Sequence, residues 1–77
     1  MFRYLPIEEQ LSAPDLGRYR SFGIAAFQVL GGRWEKRAFA SDVSTDEAFV
    51  TRLAQRCTQA QLDPVHLRDV VMDTIGR

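Results

Sequence analysis

Gly31-Gly32 divides a run of aromatic and aliphatic residues into two halves, and no other feature constrains the topology as much. Glycine adopts positive φ at no steric cost, so the pair suits the two-residue turn of a β-hairpin. The flanking stretches, together Arg18 to Ser44, are rich in β-branched and aromatic residues, as strands are. A turn at the glycines predicts a register. Leu30 faces Arg33, Val29 faces Trp34, Gln28 faces Glu35, Phe27 faces Lys36 and Ala25 faces Ala38. Further along, Ile24 faces Phe39, Phe22 faces Ser41 and Arg20 faces Val43. One face is then apolar far from the turn (Phe22, Ile24, Phe39, Val43) and polar near it (Gln28, Glu35, Arg37). The other gathers Phe27, Val29 and Trp34 at the turn end.

Two helices follow. Ser44-Thr45-Asp46-Glu47 reads as a capping box, in which Ser44 accepts from the backbone N–H of Glu47 and the Glu47 side chain reaches back. Acidic residues open this helix while Arg52 and Arg56 lie in its later half, as the macrodipole favours. Phe49, Val50, Leu53, Ala54, Cys57 and Ala60 form its apolar stripe, and Thr51, Arg52, Gln55, Arg56 and Gln59 its wet face. The second helix starts at Asp63, a good N-cap, with Pro64 at the first helical position. Leu62 and Leu67 are spaced as a hydrophobic staple. Leu67, Val70, Val71 and Ile75 recur at helical spacing, and Gly76 ends the pattern. The connection between the helices is about two residues long, which predicts an antiparallel or steeply angled helical hairpin.

Ahead of the hairpin, Phe2 to Ile7 is a short strand in which Pro6 favours an edge position. Glu8 to Gly17, holding Pro14, Asp15 and Gly17, reads as a loop. A chain of 77 residues makes one domain near the lower limit for a self-sufficient core. The expected fold is therefore α+β, a three-stranded antiparallel meander followed by two helices packed on one face.

Ten basic and ten acidic residues cancel. That balance removes the usual electrostatic reason for binding nucleic acid or an anionic membrane, and leaves little self-repulsion between copies. The single cysteine, Cys57, excludes an intramolecular disulfide and any multi-cysteine metal site, so a cytoplasmic location is expected. The opening residues show no signal-peptide pattern, and no apolar run is long enough to span a bilayer.

Three runs, Tyr19-Arg20-Ser21-Phe22-Gly23-Ile24, Asp42-Val43-Ser44-Thr45-Asp46 and Leu62 through Asp73, resemble a family of short bacterial proteins classed as a domain of unknown function. The resemblance spans roughly Tyr19 to Ile75, with the first strand and the loop outside it. It implies a bacterial, cytoplasmic protein and carries no catalytic or binding residues with it.

Candidate chemistry is sparse. His66, Asp69 and Asp73 fall within a ~60° sector of the last helix, where a histidine and a carboxylate one turn apart are possible metal ligands. His66 and Asp73 are about 10 Å apart along the axis, too far to share one ion comfortably. Solvated or locally bonded side chains are the simpler reading. Cys57 sits on a buried stripe, as a small core hydrophobe does. Arg18, Arg20, Arg33, Lys36 and Arg37 place half the positive charge on one hairpin beside Tyr19, Phe27 and Trp34, a pattern that single-stranded nucleic acid binders use. Glu35 among them and the balanced net charge favour solvated strand faces instead.

The expected function is that of a non-enzymatic, regulatory interaction module that needs no cofactor and contacts a protein partner or a second copy of itself. Phe27, Val29 and Trp34 are the expected interface, because two helices of about three turns cannot cover both faces of the hairpin. The alternative is that N-terminal residues, Tyr4 or Leu5, fold across Trp34. A nucleic-acid-binding accessory protein using the hairpin ranks second, and a metal-dependent enzyme centred on His66 third.

Overall fold

The computed structural model describes residues 1–76. Three strands, β1 (Phe2–Ala13), β2 (Gly17–Leu30) and β3 (Arg33–Ser44), form one antiparallel sheet in the order β1-β2-β3. Helix α1 (Glu47–Gln59), a 3₁₀ turn (Pro64–His66) and helix α2 (Leu67–Ile75) complete the α+β fold. α1 lies chiefly on β1, α2 on β3, and both occupy the same side of the sheet.

β1 is twice as long as the sequence suggests. Glu8 to Ala13 continue the strand instead of forming a loop, and Phe2 to Ala13 pair without interruption from Gln28 to Gly17. The turn is confined to Pro14–Leu16, with Leu16 donating to the Ala13 carbonyl and Gly17 at φ +68°. In Arg3-Tyr4-Leu5-Pro6-Ile7-Glu8-Glu9 the two faces carry mixed residues, which obscures the alternation. Pro6 is accommodated because β1 is an edge strand.

The glycine turn forms as expected, both glycines having positive φ, and the first four cross-strand pairs match the predicted register. Beyond them it shifts. Arg37 is an extra residue between Phe27↔Lys36 and Ala26↔Ala38, so Ala25 faces Phe39 and Ile24 faces Ala40. A second, wider bulge follows, since Ser41, Asp42 and Val43 lie between Ile24↔Ala40 and Phe22↔Ser44. Each extra residue re-aims the side chains after it. Phe39 is therefore not on the helix side with Phe22, Ile24 and Val43; it is turned to the opposite face and 41% exposed, while Ala38 and Ala40 take the inner positions.

The core lies between the sheet and the helices: Tyr4, Phe22, Ile24, Ala26 and Val43 against Val50, Leu53, Ala54, Cys57, Leu67 and Val71. Small details of the helix ends differ from expectation. Asp46, not Ser44, caps α1 by accepting from Phe49 N–H at 3.2 Å, and Ser44 Oγ accepts from Asp46 N–H at 3.0 Å. Ala60 is an exposed C-cap residue outside the buried stripe. Asp63 does accept from Val65 N–H at 3.1 Å, but the turn it starts is 3₁₀, with α2 beginning only at Leu67. Ile75 is half exposed because the core ends at Val71.

β1 pairs with β2 on one side only, and α1 closes part of its other side. The Gln61 amide accepts from Phe2 N–H and donates to the Phe2 carbonyl, both at 2.9 Å, as a neighbouring strand would. Thr58 Oγ1 accepts from Tyr4 N–H at 2.9 Å. Pro6, next on that edge, has no N–H to satisfy. Paired in this way, the edge offers less of a template to other chains.

Candidate functional site

With both helices on one side, no layer among the described residues covers the other side of the sheet. Successive strand residues point to opposite faces, so this outer face presents Arg3, Leu5, Ile7 and Glu9 from β1. Phe27, Ala25, Gly23, Ser21 and Tyr19 from β2 share it, with Trp34, Lys36, Phe39 and Asp42 from β3. Leu5, Trp34 and Phe39 each remain more than two-fifths exposed.

The expected interface residues are brought together here. Val29 pairs with Trp34, and the rings of Phe27 and Trp34 lie 5.7 Å apart, tilted by 59°. The Arg3 guanidinium sits 5.7 Å from the centre of the Trp34 ring, and Lys36 Nζ 5.5 Å from that of Phe39. Such placements let a cation face the negative π surface. The residue reaching across to Trp34 is thus Arg3; Tyr4 points the other way, into the core. Phe39 is held in place by Gly23. A Cβ at Gly23 would lie 2.5 Å from the Ala40 carbonyl oxygen and 3.0 Å from two ring carbons of Phe39. Phe39 and Leu5, absent from the expected set, lie on the same face. Their place depends on the bulge at Arg37 and on the true length of β1.

The far end of the face is polar. Asp42, at φ +53°, accepts from the Tyr19 hydroxyl at 2.9 Å through Oδ2 and from Ser21 Oγ at 2.6 Å through Oδ1. Glu9 accepts from Ser41 Oγ and from Asp42 N–H, both at 2.8 Å. Ser21 is fully buried, and this cluster is what satisfies its hydroxyl. The hydrogen bond to Asp42 holds the Tyr19 phenol above its ordinary pKa, because ionising it would set a second negative charge beside the carboxylate. Among the described residues neither Glu9 nor Asp42, nor Arg3 or Lys36, has an ion-pair partner.

The remaining candidates are dispersed. His66 closes the 3₁₀ turn and Asp69 and Asp73 lie on α2, all exposed and without a hydrogen bond or ion pair between their side chains. Among the described residues no three His, Cys, Asp or Glu side chains come close enough to hold a metal ion. Cys57 is buried on the inner face of α1, and this burial pushes its thiol pKa up against a smaller lowering by Arg56. The hairpin cations are split between faces. Arg20 lies 3.9 Å from Glu8 and over the Phe22 ring, and Arg37 pairs with Glu35 at 2.9 Å and donates to Gln28. An open groove of about 900 Å³ runs between β3 and α2, lined by Phe39, Val65, Leu67, Val71, Met72 and Ile75. No helix among the described residues is long and apolar enough to cross a membrane.

No curated protein and no solved structure matches the chain. A family model does match, over residues 1–77, extending the resemblance through β1 and the turn that follows it. The chain belongs to a family of unknown function, DUF6514.

Proposed function

We propose that this protein is a non-enzymatic interaction module of bacterial origin, acting in the cytoplasm by binding a protein chain through the outer face of its sheet. The observation that carries this reading is the apolar patch around Phe27, Trp34, Phe39 and Leu5, left bare while every helix packs on the opposite side. Apolar surface of this kind, edged by charged side chains, is characteristic of interaction sites, and Trp, Tyr and Arg are favoured at binding hot spots.

The test places a photo-crosslinking amino acid at Phe39 on the outer face, or at Gln55, exposed on α1. Irradiation in cells is expected to join a protein chain to the Phe39 position and not to the Gln55 position. Absence of any protein adduct at Phe39 would overturn the reading.

One feature favours a second reading, binding of single-stranded nucleic acid: two cations stand over aromatic rings on the same face. It has less support, since Glu9 and Asp42 share the face and the formal net charge is zero. Binding of an oligonucleotide that weakens steeply with salt would promote it.

A further inference from the structure

From the distribution of charge on the outer face we infer that its occupant is a second copy of this chain, docked face to face with the strands of the two sheets antiparallel. This rests on the reading of that face as a protein-binding surface.

The register fixes where each charge lies. Arg3, Phe27 and Lys36 form one row across the three strands, and Glu9 pairs with Ser21, which bonds Asp42, in another row. Six residues separate the rows along β1, about 20 Å at 3.3 Å per residue. Two cations stand at one end, two carboxylates at the other, and Leu5, Ile7, Ala25 and Phe39 lie between. All four charges lack an ion-pair partner in their own chain among the described residues.

That pattern is complementary to itself under one operation. A two-fold axis lying across the strands, between the Leu5 and Ile7 rows, sets β1 on β1 and β3 on β3 with their directions reversed. Arg3 then faces Glu9 of the second copy, and Lys36 faces Asp42. Each contact occurs twice, as a two-fold interface requires. With the strands parallel instead, cations would meet cations and carboxylates carboxylates. The carboxylate oxygens of Glu9 and Asp42 already accept one hydrogen bond each, yet every such oxygen has a second lone pair for an incoming cation. The apolar rows between the charges are buried, and a formal net charge of zero adds no overall repulsion. An acidic partner would satisfy Arg3 and Lys36 but oppose Glu9 and Asp42; a basic one would do the reverse.

The experiment is sedimentation of the purified full chain over a range of concentration, with Arg3→Glu/Lys36→Glu compared against Arg52→Glu/Arg56→Glu. Both pairs change the net charge equally, and all four residues are exposed. The wild type is expected to dimerise, the Arg52/Arg56 variant to dimerise as it does, and the Arg3/Lys36 variant to dissociate with Kd raised roughly tenfold or more while its far-UV dichroism and melting as a monomer are kept. A wild type that stays monomeric, or a dimer equally indifferent to both variants, would overturn the inference. If the wild type is monomeric while Phe39 still crosslinks to another protein in cells, the self-pairing falls and the interaction reading stands; without that adduct both fall.

Discussion

The hydroxyl of Tyr4, near the start of the chain, donates to the backbone carbonyl of Leu62, between the two helices. The bond ties β1 to the connection that redirects the chain from α1 into the 3₁₀ turn. Leu62 N–H in turn donates to the Cys57 carbonyl at 3.0 Å, so the connection is held from both sides. Tyr4→Phe keeps the ring in the core but leaves the Leu62 carbonyl without its donor. We expect a loss of about 1–2 kcal/mol, read as a lower midpoint in chemical denaturation with an unchanged slope. An unchanged midpoint would mean that water replaces the phenol at no cost.

The same residue sets a limit at alkaline pH. Burial, followed by the nearby Cys57 and Asp63, pushes the Tyr4 pKa from 10.0 up to about 12. The native state therefore holds this proton after the unfolded chain has released it. The stabilisation is fully present below pH 10.0 and is lost as pH rises towards about 12. Cys57, also raised by burial, acts in the same direction from a lower starting point. Stability measured by denaturation should decline across this window, and the decline should be shallower in Tyr4→Phe. Tyrosinate absorbance would show one of the two tyrosines ionising only as the chain unfolds; Tyr19, half-buried and held up by Asp42, serves as the contrast.

What could be read from the sequence divides along physical lines. Features written in consecutive residues were legible: the Gly31-Gly32 turn, the apolar stripes of the helices, and Asp63 as a cap. Features made by two distant segments were not. The bulge at Arg37 leaves no mark in composition, yet it decides that Phe39 joins Trp34 on the outer face and not Phe22 in the core. The continuation of β1 past Ile7 was hidden because Glu8 and Gln10 lie on the helix side beyond the reach of α1, where polar residues look like loop. That Phe27, Val29 and Trp34 share one face was legible because they lie next to the turn, ahead of either bulge. The Glu9–Asp42 cluster joins residues 33 apart and had no local signal at all.

Gly23 should be intolerant of a side chain. Its φ is ordinary, so the obstacle is space: a Cβ would meet the Ala40 carbonyl oxygen, a backbone atom that moves only if the wide bulge moves with it. Gly23→Ala should cost about 1–3 kcal/mol, as overpacking does. Phe39 would be displaced as well, so protein adducts from a crosslinker at Leu5 or Ile7, also on the outer face, would report whether the patch is disturbed. A variant as stable as the wild type would show that β3 slides freely over β2.

The last helix separates two apolar residues that the sequence places on one stripe. Leu67 is 2% exposed and Ile75 43%. Leu67→Ala should cost on the order of 2–4 kcal/mol, a large part of the stability of so small a domain. Ile75→Ala should cost about half as much, since over two-fifths of that residue is already in contact with water. Equal costs in thermal or chemical denaturation would place the core further along α2 than Val71.

The closed edge of β1 leads to a prediction about solubility. Thr58 and Gln61 supply the hydrogen bonds that a fourth strand would otherwise make to Tyr4 and Phe2. Thr58→Val keeps the shape of the side chain and removes its oxygen, leaving Tyr4 N–H without a partner. Gln61→Ala frees both polar groups of Phe2, while the Thr58 carbonyl keeps the backbone N–H of residue 61, at 3.0 Å, when it loses the Gln61 amide at 2.8 Å. Gln61 itself sits at φ +50°, where alanine gains nothing in comfort. Each change should lower stability by about 1 kcal/mol. Their combined effect on association should be larger than this loss suggests, because an exposed row of N–H and C=O groups is a template for pairing with another chain. Light scattering on heating, well below the melting temperature, is expected to rise in the double variant and not in Leu67→Ala at matched fractional unfolding. If both scatter alike, unfolded chain alone drives association and the two side chains do not guard the edge.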